Sequence, residues 1–262
     1  MPHPPSLLWP FLVFCAGACV GSFLNVCIYR LPEGRSVVRP GSACPHCRRF
    51  LRWWENIPLL SYVFLRARCR SCGARISPQY PLVELLSGFL ALALWYRFGL
   101  GASFFIYAYF SASLLIISLI DLEHKIIPDC ISLPGIVLGF LSSFFLPNLS
   151  WYDSLIGILV GGGALYVLAW GYYLIARREG MGGGDIKLLA MIGAFMGWQA
   201  LPLVVFLSAA VGSILGLAVM VVRREGRHMA IPYGPFLGGA ALFTLFFGQH
   251  FISWYFGILS VH

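Results

Sequence analysis

Eight apolar stretches occupy most of this chain of 262 residues, and they restrict it to folds that live in lipid. They run Leu7 to Tyr29, Pro81 to Tyr96, Gly101 to Ile120, Ile131 to Pro147, Ser154 to Ala176, Ile186 to Trp198, Ala200 to Val222 and Ile231 to Leu259. Hydrocarbon offers no hydrogen-bond partner to an open sheet edge, so each stretch reads as a helix. With 59% hydrophobic and 11% charged residues, the chain cannot clothe an aqueous globule. The expected fold class is an all-α integral membrane protein of about eight transmembrane helices, with a cytosolic zinc-binding loop domain between helices 1 and 2. The expected divisions are 1–29, the first transmembrane helix; 30–80, the loop; and 81–262, the helical core. The first apolar run lacks the basic start of a signal peptide and is long enough to span, so it reads as a retained helix. Small residues at Gly157, Gly161 to Gly163, Gly212 and Gly216 would let helix backbones approach closely.

Charge orients the helices. Ten arginines, from Arg30 to Arg75, fall in the loop between the first and second apolar runs. Lys125, Arg177, Arg178, Lys187, Arg223, Arg224 and Arg227 lie in or beside the other loops on that side, and Arg97 alone lies opposite. Positive charge stays inside, so this side is expected to be cytosolic and both termini to face out. The ten arginines less Glu33 and Glu55 equal the net charge of +8. The basic balance therefore needs no nucleic acid, and a lipid bilayer is the expected partner. Ile186 to Trp198 is short for a span, roughly 20 Å of helix against roughly 30 Å of hydrocarbon. The expectation is a short helix with its N-terminus sunk below the cytosolic surface and reached by water through a protein-lined cavity.

The loop holds Cys44-Pro45-His46-Cys47 and Cys69-Arg70-Ser71-Cys72, two CxxC pairs with 21 residues between them. Each pair can bring two thiolates to one ion, and four close a tetrahedral structural site of the kind Zn²⁺ prefers. Paired disulfides are the competing reading, disfavoured in a reducing compartment. Cys15, Cys19, Cys27 and Cys130 lie in or near apolar segments and receive no role.

Two carboxylates sit where lipid makes charge expensive. Asp121 closes the run Ser111 to Ile120, and Asp185 follows Gly182-Gly183-Gly184. A pair of carboxylates sharing one proton can activate water with one member and polarise a peptide carbonyl with the other, so Asp121 and Asp185 are the candidate catalytic dyad. The glycines before Asp185 would let a substrate backbone or a neighbouring helix come close. Helix polarity, with Asp185 opening one helix and Asp121 ending another, leans the shared proton toward Asp121. Lys125 could reach Asp121 only if that helix ran four residues further. Asp129, between Pro128 and an apolar run, reads as an N-cap.

Several blocks, in order along nearly the whole chain, resemble the bacterial type IV prepilin peptidases. They are Gly21-Ser22-Phe23-Leu24-Asn25-Val26 through Tyr29-Arg30-Leu31-Pro32, the four-cysteine loop, Trp54-Glu55-Asn56-Ile57-Pro58, and Tyr80 to Leu85. Then follow Ile120 to Asp129, Gly180-Met181-Gly182-Gly183-Gly184-Asp185-Ile186-Lys187-Leu188 and Ile231 to Phe236. Ala67 and Cys130 are small departures from the family pattern, away from the proposed chemistry. The resemblance implies that Asp121 and Asp185 are catalytic. It also implies that the substrates are prepilins and pseudopilins, cut after a short basic leader at the cytosolic face of the inner membrane. Glu123, Asp129 and Glu179 could supply acidity for that leader. The resemblance further implies N-methylation of the new N-terminus from S-adenosylmethionine. No Gly-rich methyl-donor motif is present, and Glu55 and Glu84 are the polar candidates for that site. A proton-coupled or metal transporter, which places carboxylates near mid-membrane, and a non-catalytic assembly component are the alternatives.

Overall fold

In a computed structural model, residues 8–177, 182–223 and 232–259 are described, and every regular element among them is helical. The elements are α1 (Leu8–Arg30), α2 (Leu60–Phe64), α3 (Gln79–Phe98), α4 (Ala102–His124), α5 (Asp129–Ser142), α6 (Trp151–Ala176), α7 (Gly183–Met196), α8 (Leu201–Arg223) and α9 (Gly234–Leu259). Five helical spans, Leu8–Arg30, Gln79–Phe98, Ala102–His124, Trp151–Leu174 and Trp198–Val221, are long and apolar enough to cross a membrane. The chain is a multi-pass, all-helical membrane protein. Helix α5 and the stretch Gly234–Gly248 of α9 are apolar but shorter.

Every apolar run of the sequence became a helix, with ends displaced by a few residues. Helix α5 stops at Ser142 although the apolar run continues to Pro147. The hydroxyls of Ser142 and Ser143 turn back onto the carbonyls of Gly139 and Phe140, and Pro147 has no N–H with which to extend the helix. Helix α2, five residues inside the loop, has no hydropathy signal to announce it.

The chain forms two compact units, Met1–Ala112 and Ser113–His262, whose boundary falls within α4. In the first unit α1 packs against α3 through Gly17 and Gly21. A Cβ at Gly17 would stand 2.6 Å from the Ala91 Cβ, and one at Gly21 would stand 2.8 Å from the Glu84 Cα, so nothing larger permits this approach. The loop is tied to these helices by polar contacts. The Arg30 guanidinium donates to the carbonyls of Ser36 and Gly41, and buried Asn25 donates to the carbonyl of Tyr80. The N–H of Leu59, a residue at φ 62°, donates to the Glu84 carboxylate over 2.7 Å, and the Ser22 hydroxyl bonds the same group.

In the second unit, α7 is the centre. Its residues Leu188 to Phe195 are buried without a break, so no face of that stretch meets lipid. Helices α5, α6, α8 and α9 all pack against it. Gly157 of α6 and Gly193 of α7 face each other so closely that a Cβ on either would fall on the other's carbonyl. The Ser154 hydroxyl donates to the Ala194 carbonyl over 2.7 Å. At the far end of α7, Asp153 accepts from the Trp198 Nε1 and the Gln199 Nε2, fixing the turn at Gly197, which has φ 76°. The shortness of the sixth apolar run thus has a physical basis: a helix sheathed by protein need not match the bilayer thickness.

Candidate active site and metal centre

Asp121 lies in the last turn of α4 and is buried, 5% exposed. The helix ends three residues later. Lys125 turns into the left-handed region at φ 56°, and its backbone N–H closes on the Asp121 carbonyl over 2.9 Å. The helix does not run far enough for a Lys125 ion pair with Asp121, and none is formed among the described residues. The partner of Asp121 comes from the other end of the unit: the N–H of Gly234, opening α9, donates to Asp121 Oδ2 over 2.8 Å.

Asp185 stands in the first turn of α7, two residues after the helix begins at Gly183. Asp185 lies near enough to Asp121 for their charges to interact, and Tyr233 stands near Asp185. Tyr233 is held by Ser208, whose hydroxyl lies 2.7 Å from the Tyr233 Oη. Gly234 thus contacts Asp121 directly, and its neighbour Tyr233 stands near Asp185. In the sequence they belong to one block of the family resemblance without an assigned role. The only local signal is a glycine between an aromatic residue and Pro235 at the start of an apolar run.

The glycines before Asp185 divide. A Cβ at Gly184 would sit 2.8 Å from the Cβ of Ile127, so close packing requires glycine there. Around Gly183, its chain neighbours aside, no atom of the described residues lies within 4 Å of such a Cβ, leaving that face open among them. Gly180 and Met181, which begin the block, lie outside the described residues.

Of the acidic residues expected to meet a basic leader, Asp129 departs from its expected place as an N-cap. Asp129 is the first residue of α5, not its N-cap; Pro128 holds the cap position without a side-chain bond. The Asp129 carboxylate instead grips Lys187 Nζ at 2.7 and 2.8 Å, which occupies its charge. Glu123 is exposed, with its neighbour His124 at 3.9 Å. Glu179 lies outside the described residues.

In the loop, Cys44, Cys47, Cys69 and Cys72 converge, each offering a sulfur within 4.8 Å of the others. Cys44 Sγ lies 3.8 Å from Cys72 Sγ, and Cys47 Sγ lies 4.0 Å from Cys69 Sγ. These separations are far too long for disulfides, and all four thiols are free. Metal–sulfur bonds of about 2.3 Å in a tetrahedron set sulfurs about 3.8 Å apart, so the cluster fits a metal ion. Paired turns build it: the Arg48 N–H returns to the Cys44 carbonyl, and the Gly73 N–H returns to the Cys69 carbonyl, each over 2.9 Å. Backbone N–H groups of Cys72 and Ser71 push the Cys69 thiol down to about 6, which favours the thiolate a metal needs. His46 stands outside the cluster.

Beside the cluster, Arg49 Nη2 lies 2.8 Å from Glu55 Oε1, and the Arg52 N–H donates to Glu55 Oε2 over 2.9 Å. The Arg52 N–H first and the Arg49 guanidinium second hold the Glu55 carboxyl below the usual carboxylate range. Glu55 and Glu84 thus both tie the loop in place.

Comparison with known proteins settles the lineage. Residues 15–98 match the Bacterial Peptidase A24 N-terminal domain, and residues 108–217 match the Type IV leader peptidase family. The chain is 39% identical to a prepilin leader peptidase/N-methyltransferase of Pseudomonas aeruginosa, over 97% of this chain and 94% of that one. It is 39% identical to a protein of the same description from Stutzerimonas stutzeri, over 93% of both, and 38% identical to another from Aeromonas hydrophila, over 97% and 96%. The chain belongs to the type IV leader peptidase family. No solved structure gives a significant match. Within this leader peptidase family member, both aspartates fall inside the second matched region, whereas Tyr233 and Gly234 lie beyond it. The four cysteines fall inside the first.

Proposed function

We propose that this chain is a membrane-embedded aspartyl endopeptidase that removes the basic leader of type IV prepilins and pseudopilins, with Asp121 and Asp185 as its catalytic pair. One carboxylate, ionised, takes a proton from water. The other, protonated, hydrogen-bonds the scissile carbonyl oxygen while the water oxygen bonds to the carbonyl carbon. Collapse of the tetrahedral intermediate breaks the C–N bond, and the leaving amine takes up the proton. The observation that carries this reading is the approach of Ile127, six positions after Asp121, to Gly184, next to Asp185, with no cation paired to either aspartate among the described residues. The open face at Gly183 supports it, since an extended peptide needs such clearance beside the carboxylates.

The finer topology belongs to the same proposal. Helices α1 and α3 to α9 span a bacterial inner membrane as eight passes, α7 within a protein sheath, with the four-cysteine loop cytosolic and both termini periplasmic. Cys44, Cys47, Cys69 and Cys72 would hold a structural Zn²⁺, which shapes the loop and takes no part in the cleavage. N-methylation of the new N-terminus from S-adenosylmethionine is the second activity, supported by the description of the relatives. No step of it is assigned to Glu55 or Glu84.

The test is cleavage of a purified prepilin by wild type, Asp121→Asn, Asp185→Asn and the double variant. Each single variant falls by at least about a thousandfold and the double variant falls little further, because the two carboxylates act as a unit. Wild-type turnover in either single variant removes the dyad.

A further inference from the structure

A second candidate site lies in the loop of the first unit. Tyr62, Arg66, Arg68, Arg75, Ser77 and Pro78 line an open, solvent-facing cavity of about 470 Å³. Three arginines and no acidic residue belong to its lining. Arg68 and Arg75 face each other across an antiparallel bridge, the arrangement in which like charges repel most directly. The acidic residues of this unit are engaged elsewhere: Glu33 with Arg35, Glu55 with Arg49, and Glu84 with the Leu59 N–H. Among the described residues no ion pair reaches Arg66, Arg68 or Arg75. The backbone is nevertheless fixed in this arrangement. Arg66 and Ala67 take φ 50° and 56°, a costly region for residues with a Cβ, and the Ala67 N–H to Tyr62 and Ile76 N–H to Ala67 hydrogen bonds lock the turn.

Position identifies the ligand. Ser77 and Pro78 line the cavity, and Pro78 is the cap of the membrane-crossing helix α3, so the site stands where that helix leaves the bilayer. Helix α2, which contributes Tyr62 to the cavity, also exposes Leu60, Val63 and Phe64, the last at 80%. Arginines beside bare apolar side chains at a membrane boundary are the signature of an interfacial segment. We infer that Arg66, Arg68 and Arg75 bind the phosphate headgroup of an anionic phospholipid, with Leu60, Val63 and Phe64 of α2 resting in the adjoining acyl boundary. Guanidiniums suit phosphate oxygens through paired N–H donors. A basic leader or a sulfonium methyl donor would add positive charge to three positive groups, so neither is the occupant.

The experiment uses the full-length protein in detergent, titrated with phosphatidylglycerol or phosphatidylcholine and followed by native mass spectrometry. The variant Arg66→Gln/Arg68→Gln/Arg75→Gln is compared with Arg35→Gln/Arg39→Gln/Arg48→Gln, which removes equal charge elsewhere in the loop. Wild type and the second variant retain phosphatidylglycerol in preference to phosphatidylcholine, and the first binds it roughly tenfold or more weakly than the second. Equal weakening in both variants, or no preference in wild type, overturns the site. So does displacement of the lipid by equimolar inorganic phosphate or by an acidic peptide, which would assign the cavity to those ligands. Should the triple variant aggregate, Arg68→Gln and Arg75→Gln carry the comparison singly. Each is expected to lose affinity severalfold, and unchanged binding in both overturns the proposal.

Discussion

The backbone N–H of Gly234 reaches across 113 positions of sequence to donate to Asp121 Oδ2 over 2.8 Å. A main-chain donor cannot be removed by changing a side chain, but its approach can be blocked. A Cβ on Gly234 would stand 2.8 Å from that oxygen and 3.2 Å from the Asp121 Cγ. Gly234→Ala is expected to lower prepilin cleavage on the order of a hundredfold by displacing a reacting group, with normal expression and membrane insertion. Cleavage at the wild-type rate would show that Asp121 tolerates displacement.

Gly184 and Ile127 test the second half of the site. Gly184→Ala forces its new methyl to within 2.8 Å of the Ile127 Cβ and should move the start of α7, and Asp185 with it. Turnover should fall by roughly tenfold or more. Combining it with Ile127→Gly, which removes the Cβ that the new methyl would meet, should recover part of the loss. A double variant with the product of the two single effects would place the damage elsewhere.

The four thiols predict a metal content that elemental analysis can read. Wild type should carry about one equivalent of zinc per chain, and Cys44→Ser or Cys69→Ser should lose it. The Arg-rich loop should then be cut by trypsin severalfold faster, because the turns that carry Cys44 and Cys69 lose their common anchor. Full zinc retention in both variants would exclude the cluster as the metal centre.

Glu55 makes the loop sensitive to acid in one direction. Its carboxyl is held below the usual range, so its contribution to stability is fully present above the unfolded value of about 4.3 and is lost as pH falls through the lower folded value. Hydrogen-exchange protection of the Arg52 N–H, the donor to Glu55, should be flat from about pH 8 to 5 and decline below about pH 4. Glu55→Gln should lower the plateau and abolish the decline. A wild-type decline centred near neutrality would assign the sensitivity to another group.

What the sequence disclosed follows from the range of each interaction. Apolar runs are local, and all eight appear as helices. The CxxC spacing is nearly local, since each tight turn carries its own two ligands, and the four sulfurs converge as the spacing implies. Asp121 and Asp185 announced themselves through the cost of a carboxylate beside hydrocarbon. Gly234 could not be assigned from pattern, because its role depends on α9 returning to α4, and a glycine before a proline is an ordinary helix start. Asp129 was misread for a related reason: an acidic residue ahead of an apolar run is a common N-cap, and only tertiary packing brings Lys187 to it. Helix α2 was invisible because five residues carry no periodic signal.

The unbroken burial of Leu188 to Phe195 also bears on how the protein is made. Fourteen residues with an aspartate and a lysine near the start have little tendency to leave the translocon for lipid by themselves. Helices α5 and α6 emerge first and α8 afterwards, so α7 must find its place among neighbours made before and after it. The Gly157–Gly193 contact, with no room for a side chain on either partner, is then a step at which assembly of the second unit can fail.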